Sequence, residues 1–573
     1  MRPLLVGLIL VAACQAQKQG RVFLISLDGL GYQAFSEDPA AEELQSMRRL
    51  AEQGIYAPMQ AAFPSLTAPG HASIFTGVYG NKNGVTSNNV PVSFGQRVNG
   101  FRAESLKAET FWVKAARSGV KSVAHNPTQG FPCNPFNSAP GVTLFNGYQT
   151  ATVAPSRLLT AKDVKWLETP PPGFVSPLKS RQPIRYFRYD AGRIQFVGAI
   201  FAKGLRYDTV RMTAFSGKRY VDAAWKDAES DSPRFGKQTR PLARFFSEAL
   251  PVANLAAVHF RLFQLTSDAK DFLLYQSEGK ELSVCEDGDS QAVAFKQRLL
   301  NTAGGFVGNG AGGHFEAGRL GPRGTDGVAE RRWLETLELH ARQTMRHTRA
   351  LMDEYQPRLL VDYISTPDDM LHVWWGLMKD GDSFQEPYRR WGYQIIDWRI
   401  DQLNQLRKPE DHLLIVSDHG MTVARHEVRL NTILDTMGVG DRVVAQDQFL
   451  QLKDRSDKAL LKEVQTKLST LKDGDTQLFT NWYWPDEAAA KFGIGGDLGG
   501  DLYFDLAPGY TTTWTRAQPA IIHYDKPKGV HGPNPTRPDL FALFIASGPD
   551  LQSRPVSMRS IDVAPLVLRL LGL

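Results

Sequence analysis

Cysteine is nearly absent from this chain, with three residues among 573. A scaffold built on many disulfides is therefore excluded. Also missing is an apolar run long enough to cross a bilayer as a mature helix, since Leu4 to Ala13 is far too short. Charge of one sign is lacking too: 66 basic residues stand against 60 acidic ones, a net +6, which reads as a solvated surface. There is no basic run suited to nucleic acid and no internal repeat. With 42% apolar residues, composition makes no case for disorder. What remains is a chain too long for one small core, which predicts one large α/β domain carrying insertions.

Residues 1–17 read as an export signal, with Arg2 followed by the apolar stretch. Val11-Ala12-Ala13-Cys14 has the spelling of a bacterial lipobox, so the segment predicts either cleavage near Ala16 or a lipid-anchored Cys14. Both place the mature protein outside the cytoplasm: periplasmic, extracellular or anchored at the envelope. Beyond this segment only Cys133 and Cys285 remain. That compartment permits them to pair, and two distant cysteines can equally stay free and buried.

Three apolar runs each end in acids or histidines: Val22–Leu27 before Asp28-Gly29, Leu359–Ile364 before Pro367-Asp368-Asp369-Met370-Leu371-His372, and Leu413–Val416 before Ser417-Asp418-His419-Gly420. Continuous apolar runs predict strands buried on both faces of a parallel sheet. An open α/β sheet places its site at the carboxyl ends of such strands. His531, in the loop Gly529 to Pro533, adds one more donor. Asp368, His372 and His531 make a set of two histidines and a carboxylate, the composition of a catalytic zinc site. Asp28, Asp418 and His419 make a second set, with the Thr67 hydroxyl as its natural fourth ligand.

Thr67 lies in Phe63-Pro64-Ser65-Leu66-Thr67-Ala68-Pro69-Gly70-His71, which predicts a loop delivering the threonine, as N-cap, to the first turn of a short helix. A hydroxyl there faces unpaired N–H groups and the positive end of the helix dipole, which favour an alkoxide or a bound phosphoryl group. A threonine cap alone is ordinary structure; six donors at strand ends and in nearby loops are what give it chemical meaning. His71, one turn on, reads as a packing or supporting residue.

Together these segments resemble the alkaline phosphatase superfamily, and within it the type I phosphodiesterase/nucleotide pyrophosphatase family. That family carries Asp-Gly after a strand, Phe-Pro-x-x-Thr-x-Pro-x-His, Pro-Asp-x-x-x-His, Ser-Asp-His-Gly and a late His-Gly, and all five stand here in that order. Asn88, 21 residues after Thr67, occupies the position of a family asparagine. The resemblance implies two zinc ions, on Asp28, Thr67, Asp418 and His419 and on Asp368, His372 and His531. It further implies a phosphothreonine intermediate at Thr67, with Asn88 and a backbone amide donating to the phosphoryl group. Sulfatases of the superfamily need Cys or Ser with Arg four residues on, and Thr67 and His71 disfavour that activity. A phosphomonoesterase of the same superfamily is the alternative enzyme. A non-catalytic surface binding protein is the alternative outside enzymes; it would predict a damaged site, and no ligand is missing. The expected partner is a small phosphate ester or diester.

The implied fold class is α/β: an alkaline-phosphatase-like core with a mostly parallel sheet flanked by helices. The expected division is core at 18–154, a β-rich insertion at 155–325, core at 326–430, a mixed cap-like insertion at 431–525, and core at 526–573. Helices are expected at Glu42 to Gln53, Val328 to Tyr355 and, capped by Asp562, Leu566 to Leu571. Arg193–Val197 and Phe272–Tyr275 read as strands. Gly304 to His314 lacks the Gly-Lys-Ser/Thr ending of a phosphate loop and reads as a flexible return loop. His340 and His347 read as surface or packing residues, and Phe479 to Trp484 as core, with the lining of a substrate mouth as the alternative. Lys179-Ser180-Arg181 has the spelling of the Lys-x-Arg pair that the family's monoesterases with a Thr nucleophile place in the insertion, but reads as an ordinary exposed pair.

Overall fold

The computed structural model describes residues 20–171, 174, 178–215, 217–225, 246–285, 290–551 and 557–573. The export-signal and Cys14 expectations lie outside the described residues. The central sheet has nine strands: β1 Val22–Leu27, β2 Ile55–Gln60, β3 Ser122–His125, β4 Val142–Asn146, β5 Ser283–Cys285, β6 Leu359–Ile364, β7 His412–Ser417, β8 Ala542–Ser547 and β9 Met558–Arg559, in the order β5-β4-β3-β6-β1-β7-β8-β2-β9. β4, β3, β6, β1 and β7 run parallel. β8 opposes both of its neighbours, and β5 opposes β4.

The apolar runs become central strands because both faces are covered. Phe23, Ile25 and Leu27 of β1 pack with Leu337, Trp374 and Ile396, whereas Val22 and Leu24 pack with Ile74, Trp112 and Val567. Each such side chain contributes roughly 1.5–3 kcal/mol when removed from water. Leu27 is level with Ile364 of β6 and with Ser417 of β7. The three strands that carry the acids thus end at one height.

Four helices matter for the site: α1 Thr67–Thr76, α2 Val328–Tyr355, α3 Thr366–Lys379 and α4 Glu386–Asn404. α2 has the expected bounds, with Leu337, Ala341, Met345 and Met352 buried. His340 and His347 are packing residues on it, both buried. His347 Nε2 lies 3.0 Å from the Gly304 carbonyl, and His340 stands edge-on to Phe306. The helix expected at Glu42 to Gln53 breaks at Leu44 into a 3₁₀ turn, Pro39–Glu43, and a helix, Gln45–Gln53. The Asp397 carboxylate accepts from the Ser46 and Met47 amides and so starts the second piece. The closing helix spans Val563–Leu570; Asp562 precedes it, but its carboxylate accepts from Arg559 and not from a helix amide.

Residues 157–225 and 260–276 supply a five-stranded and a four-stranded sheet around a shared apolar core that includes Phe187, Ile200, Leu262 and Leu274. Ile194–Phe201 and Phe272–Gln276 are strands of it. Residues 283–302 return to the main body, as β5 and the helix Ser290–Thr302. Cys285 on β5 is disulfide-bonded to Cys133, with Cα atoms 5.8 Å apart. The glycine-rich stretch is not a loose surface loop. Phe306 is buried, and its carbonyl accepts from the Lys280 amide at 3.0 Å, so the segment is held between the insertion and α2.

The region after β7 holds a three-stranded sheet, Gly509–Thr513, Thr422–Arg429 and Ile521–Val530, and a four-stranded sheet with flanking helices. Phe479 and Tyr483 are core residues here. Tyr483 also meets Phe63 at 6.4 Å between ring centroids, which ties this region to the segment that leads into Thr67.

Candidate active site

Asp28 follows β1, Asp368 and His372 lie on α3 just after β6, and Asp418 and His419 follow β7. Because those three strands are adjacent and end level, their loops meet above one edge. Asp368 and His372 are one helical turn apart, which puts both on one face of α3; their Oδ2 and Nε2 atoms are 3.2 Å apart. His531 arrives from the end of Ile521–Val530, whose Val530 pairs with Thr422 just after the β7 loop. Its Nε2 lies 3.7 Å from Asp368 Oδ1. The donor atoms of Asp368, His372 and His531 fall within 4.8 Å of one another, as do those of Asp28, Asp418 and His419. The two sets adjoin: the His419 and His531 rings stack with centroids 3.8 Å apart.

Thr67 Oγ1 stands 3.3 Å from Asp28 Oδ1 and 3.3 Å from His419 Nε2. Thr67 is not the N-cap of α1. Leu66 holds that position, and Thr67 is the first helical residue. The helical backbone turns its hydroxyl toward Asp28 and His419, away from its own amides. Asn88 takes over the capping duty, its Oδ1 accepting from the Ala68 N–H at 2.9 Å. With Oδ1 so engaged, the Asn88 Nδ2 amide remains as its donor group. Gly70 explains the small residue in the middle of the segment, because a Cβ there would sit 2.8 Å from Asp418 Cβ. Gly29 does the same beside Asp368, and its φ of +67° also suits glycine alone.

Supporting residues fix the donors. His372 Nδ1 lies 2.8 Å from the Gly529 carbonyl, His531 Nδ1 2.8 Å from that of Ser65, and His419 Nδ1 3.0 Å from that of Gly420. Each contact suits Nδ1–H donation, which leaves the Nε2 lone pair available to a metal ion. His71 is fully buried, with Nε2 2.7 Å from Ser26 Oγ and Nδ1 hydrogen-bonded to the Thr67 carbonyl at 2.9 Å and 3.2 Å from Asp418 Oδ2. Tyr363 donates its hydroxyl to Asp28 Oδ2. Sequence reasoning gave Tyr363 no role; its signal is register, since it sits level with Ser26, one step back from the strand ends.

The electrostatics call for a cation. Burial, then Asp418 and Asp368, push Asp28 well above the carboxylate range. Burial also acts upward on Asp418, but His419 and His71 outweigh it and hold that carboxyl low. Burial lowers His531 to about 3, reinforced by His419. Asp368 Oδ1 and Asp418 Oδ2 are buried oxygens without a hydrogen-bond partner; the 3.2 Å approaches of His71 and His419 to Asp418 Oδ2 lack bonding geometry. One buried and one half-buried set of imidazole nitrogens and carboxylate oxygens, an unpartnered oxygen in each, fit divalent metal ions of the zinc type.

Fold and site together define the class: an α/β protein of the alkaline phosphatase superfamily, with two adjoining groups of residues that could hold metal ions around a helix-terminal threonine. The chain belongs to the type I phosphodiesterase / nucleotide pyrophosphatase family, whose profile matches residues 22–195 and 301–534. An uncharacterized pyrophosphatase/phosphodiesterase of Schizosaccharomyces pombe is 34% identical over 120 residues, which is 19% of this chain and 23% of that relative. The match thus spans about a quarter of the relative's length. Among solved structures, the phosphonoacetate hydrolase of Sinorhizobium meliloti 1021 aligns over 96% of both chains at 14% identity, with a TM-score of 0.50. Murine ectonucleotide pyrophosphatase / phosphodiesterase 5 aligns over 96% of this chain and 95% of its own at 13% identity, with a TM-score of 0.48.

Proposed function

We propose that the protein is an exported two-zinc phosphoric ester hydrolase of the phosphodiesterase/nucleotide pyrophosphatase type, acting through a phosphothreonine at Thr67. The observation that carries this reading is the Thr67 hydroxyl, 3.3 Å from both Asp28 and His419 at the head of a helix. Asp28, Thr67, Asp418 and His419 would hold one ion, and Asp368, His372 and His531 the other. When bound, the ions supply Lewis acidity at the oxygens around phosphorus and a more acidic water. The residues do the rest. Thr67 Oγ1 forms a bond to phosphorus as the bond to the leaving oxygen breaks, and water then cleaves the phosphothreonine and restores the hydroxyl. Asn88 Nδ2 and the Thr67 N–H, a first-turn amide with no acceptor within its helix, orient the phosphoryl group. Export agrees with the Cys133–Cys285 disulfide, a bond favoured outside the cytoplasm.

Acid quenching during turnover is expected to trap phosphate on Thr67, detected by peptide mass spectrometry. Thr67→Ala should abolish turnover while the protein keeps its fold and metal, since the side chain caps no helix amide. Near-normal rates in Thr67→Ala would rule out this nucleophile.

A further inference from the structure

We infer that His426, Asp473 and His523 form a further divalent metal site, non-catalytic and suited to zinc, that ties the post-β7 insertion to the strands delivering His419 and His531. The observations are local to the three-stranded sheet. His426 on Thr422–Arg429 pairs with His523 on Ile521–Val530 and, on its other side, with Tyr510 on Gly509–Thr513. Residues directly opposite in neighbouring strands share a face, so Tyr510, His426 and His523 form one row. A register shift between Ala424 and His426 sets that row. Asp473, on the hairpin strand Lys472–Asp473, reaches the same face, and the Tyr510 hydroxyl donates to its Oδ2 at 2.9 Å.

The ligand atoms converge. His426 Nδ1 and His523 Nδ1 are 2.8 Å apart, His523 Nδ1 is 3.8 Å from Asp473 Oδ2, and all three donors lie within 4.8 Å of one another. Tetrahedral zinc with bonds of about 2.0–2.2 Å separates its ligand atoms by roughly 3.3–3.5 Å. The two measured spacings, 2.8 and 3.8 Å, lie on either side of that value, and the third is within 4.8 Å, so side-chain adjustments on the order of 1 Å admit the ion. Two imidazoles and one carboxylate leave a fourth position for water, and the His523 side chain, 61% exposed, gives water access. Arg425, the neighbouring cation, is engaged by Asp380. Tyr510 then plays the part of an outer hydrogen-bond donor, turning the carboxylate toward the histidine pair.

The consequence is mechanical. Thr422 pairs with Val530 at the other end of the same two strands, next to the loops that carry His419 and His531. An ion on His426 and His523 fixes the spacing of those strands, and through Asp473 fixes the insertion to them.

The test uses full-length protein stripped of metal, reconstituted with zinc, freed of excess by dialysis and counted by elemental analysis. His426→Ala/His523→Ala should hold one zinc fewer per chain than wild type, with hydrolase turnover retained. Tyr510→Phe should keep the wild-type count but bind that ion about 10–100-fold more weakly in zinc titration. The expected difference is one ion whatever number the active site itself holds, so failure here is separable from failure of the hydrolase reading. Equal counts in wild type and the double variant would overturn the site and leave only a shared proton between the rings. Loss of two or more ions would overturn it as well. Asp473→Asn, a single change on a short hairpin, gives the same one-ion test should the double variant fold poorly.

Discussion

Asn88 is assigned two duties that one pair of substitutions can separate. Its Oδ1 caps α1 through the Ala68 amide, and in the proposed mechanism its Nδ2 would donate to the phosphoryl group. The side chain is positioned by its surroundings: the Asn88 carbonyl accepts from Gly100 N–H at 2.9 Å, and Ser87 next to it is bonded to Asp447. Asn88→Ala removes both duties. Losing a helix cap costs about 0.5–2 kcal/mol of stability, and losing a transition-state donor costs about 10²–10³ in rate, roughly 2.7–4 kcal/mol. Asn88→Asp keeps an oxygen acceptor for the Ala68 amide, and its charge sits at the favourable end of the helix dipole, so stability should stay within about 1 kcal/mol of wild type. The same carboxylate faces an anionic phosphoryl oxygen with no proton to give, so the rate should fall at least as far as in Asn88→Ala. The assay is kcat/KM for bis-(p-nitrophenyl) phosphate beside urea unfolding of the same samples. An Asn88→Asp enzyme within a few-fold of wild type would show that the amide does not donate, and the residue would be a cap only.

Other outcomes are equally specific. Arg399→Met should cost about 3–5 kcal/mol, because it strands Asp362, a fully buried carboxylate held by Arg399 Nη2 at 2.7 and 2.8 Å; urea midpoints measure it, and a loss under about 1 kcal/mol would refute the account. Burial acts upward on Asp362, but Arg399 and His125 outweigh it and lower its pKa to about 2. A depressed carboxyl stabilises the fold fully above its unfolded value near 3.9 and loses that contribution as pH falls toward 2. Wild type should therefore lose stability steeply between roughly pH 4 and 2, and Asp362→Asn should lack that component in acid titrations followed by circular dichroism. Diesters or pyrophosphate-linked substrates should exceed monoesters in kcat/KM, since a diester's two non-bridging oxygens match the available donors. Lys179 and Arg181 are exposed on the β-rich insertion, so Lys179→Ala/Arg181→Ala should leave the ratio for bis-(p-nitrophenyl) phosphate over p-nitrophenyl phosphate unchanged; a monoester preference that collapses in this variant would reverse the assignment.

The donors were legible in the sequence for a physical reason. Strands covered on both faces are written as unbroken apolar runs, and the polar residues that end them stand out. β1, β6 and β7 were visible this way, together with Asp28, Asp368, Asp418 and His419. The helical spacing of Asp368 and His372 is also in plain view, and the first turn of α3 carries Asp368. What could not be read locally was who satisfies whom. Thr67 looked like a cap because threonine before an Ala-Pro helix start usually is one. The true acceptor for the Ala68 amide comes from Asn88, 20 residues away.

The same limit explains the remaining misses. An acid inside an apolar strand, Asp362, is tolerable because Arg399 arrives from α4, 37 residues on, with His125 and Thr348 beside it. The glycine-rich segment looked like a loose loop because its partners, Lys280 and His347, lie on other elements. His426 and His523 are 97 residues apart, and only the register of two strands makes them neighbours. The candidate reactive groups sit in loops after strands or in the helices that such loops open, near the strand ends in chain order. The groups that aim them come from across the sheet, where chain order and spatial order part. Tyr363 shows the boundary between the cases: parallel pairing of β1 with β6, itself inferable from the two apolar runs, is enough to bring its hydroxyl to Asp28 once the strand ends are set level. Register is therefore the missing variable, and it is the one that a single sequence encodes least directly, because it depends on how two distant apolar patterns interlock.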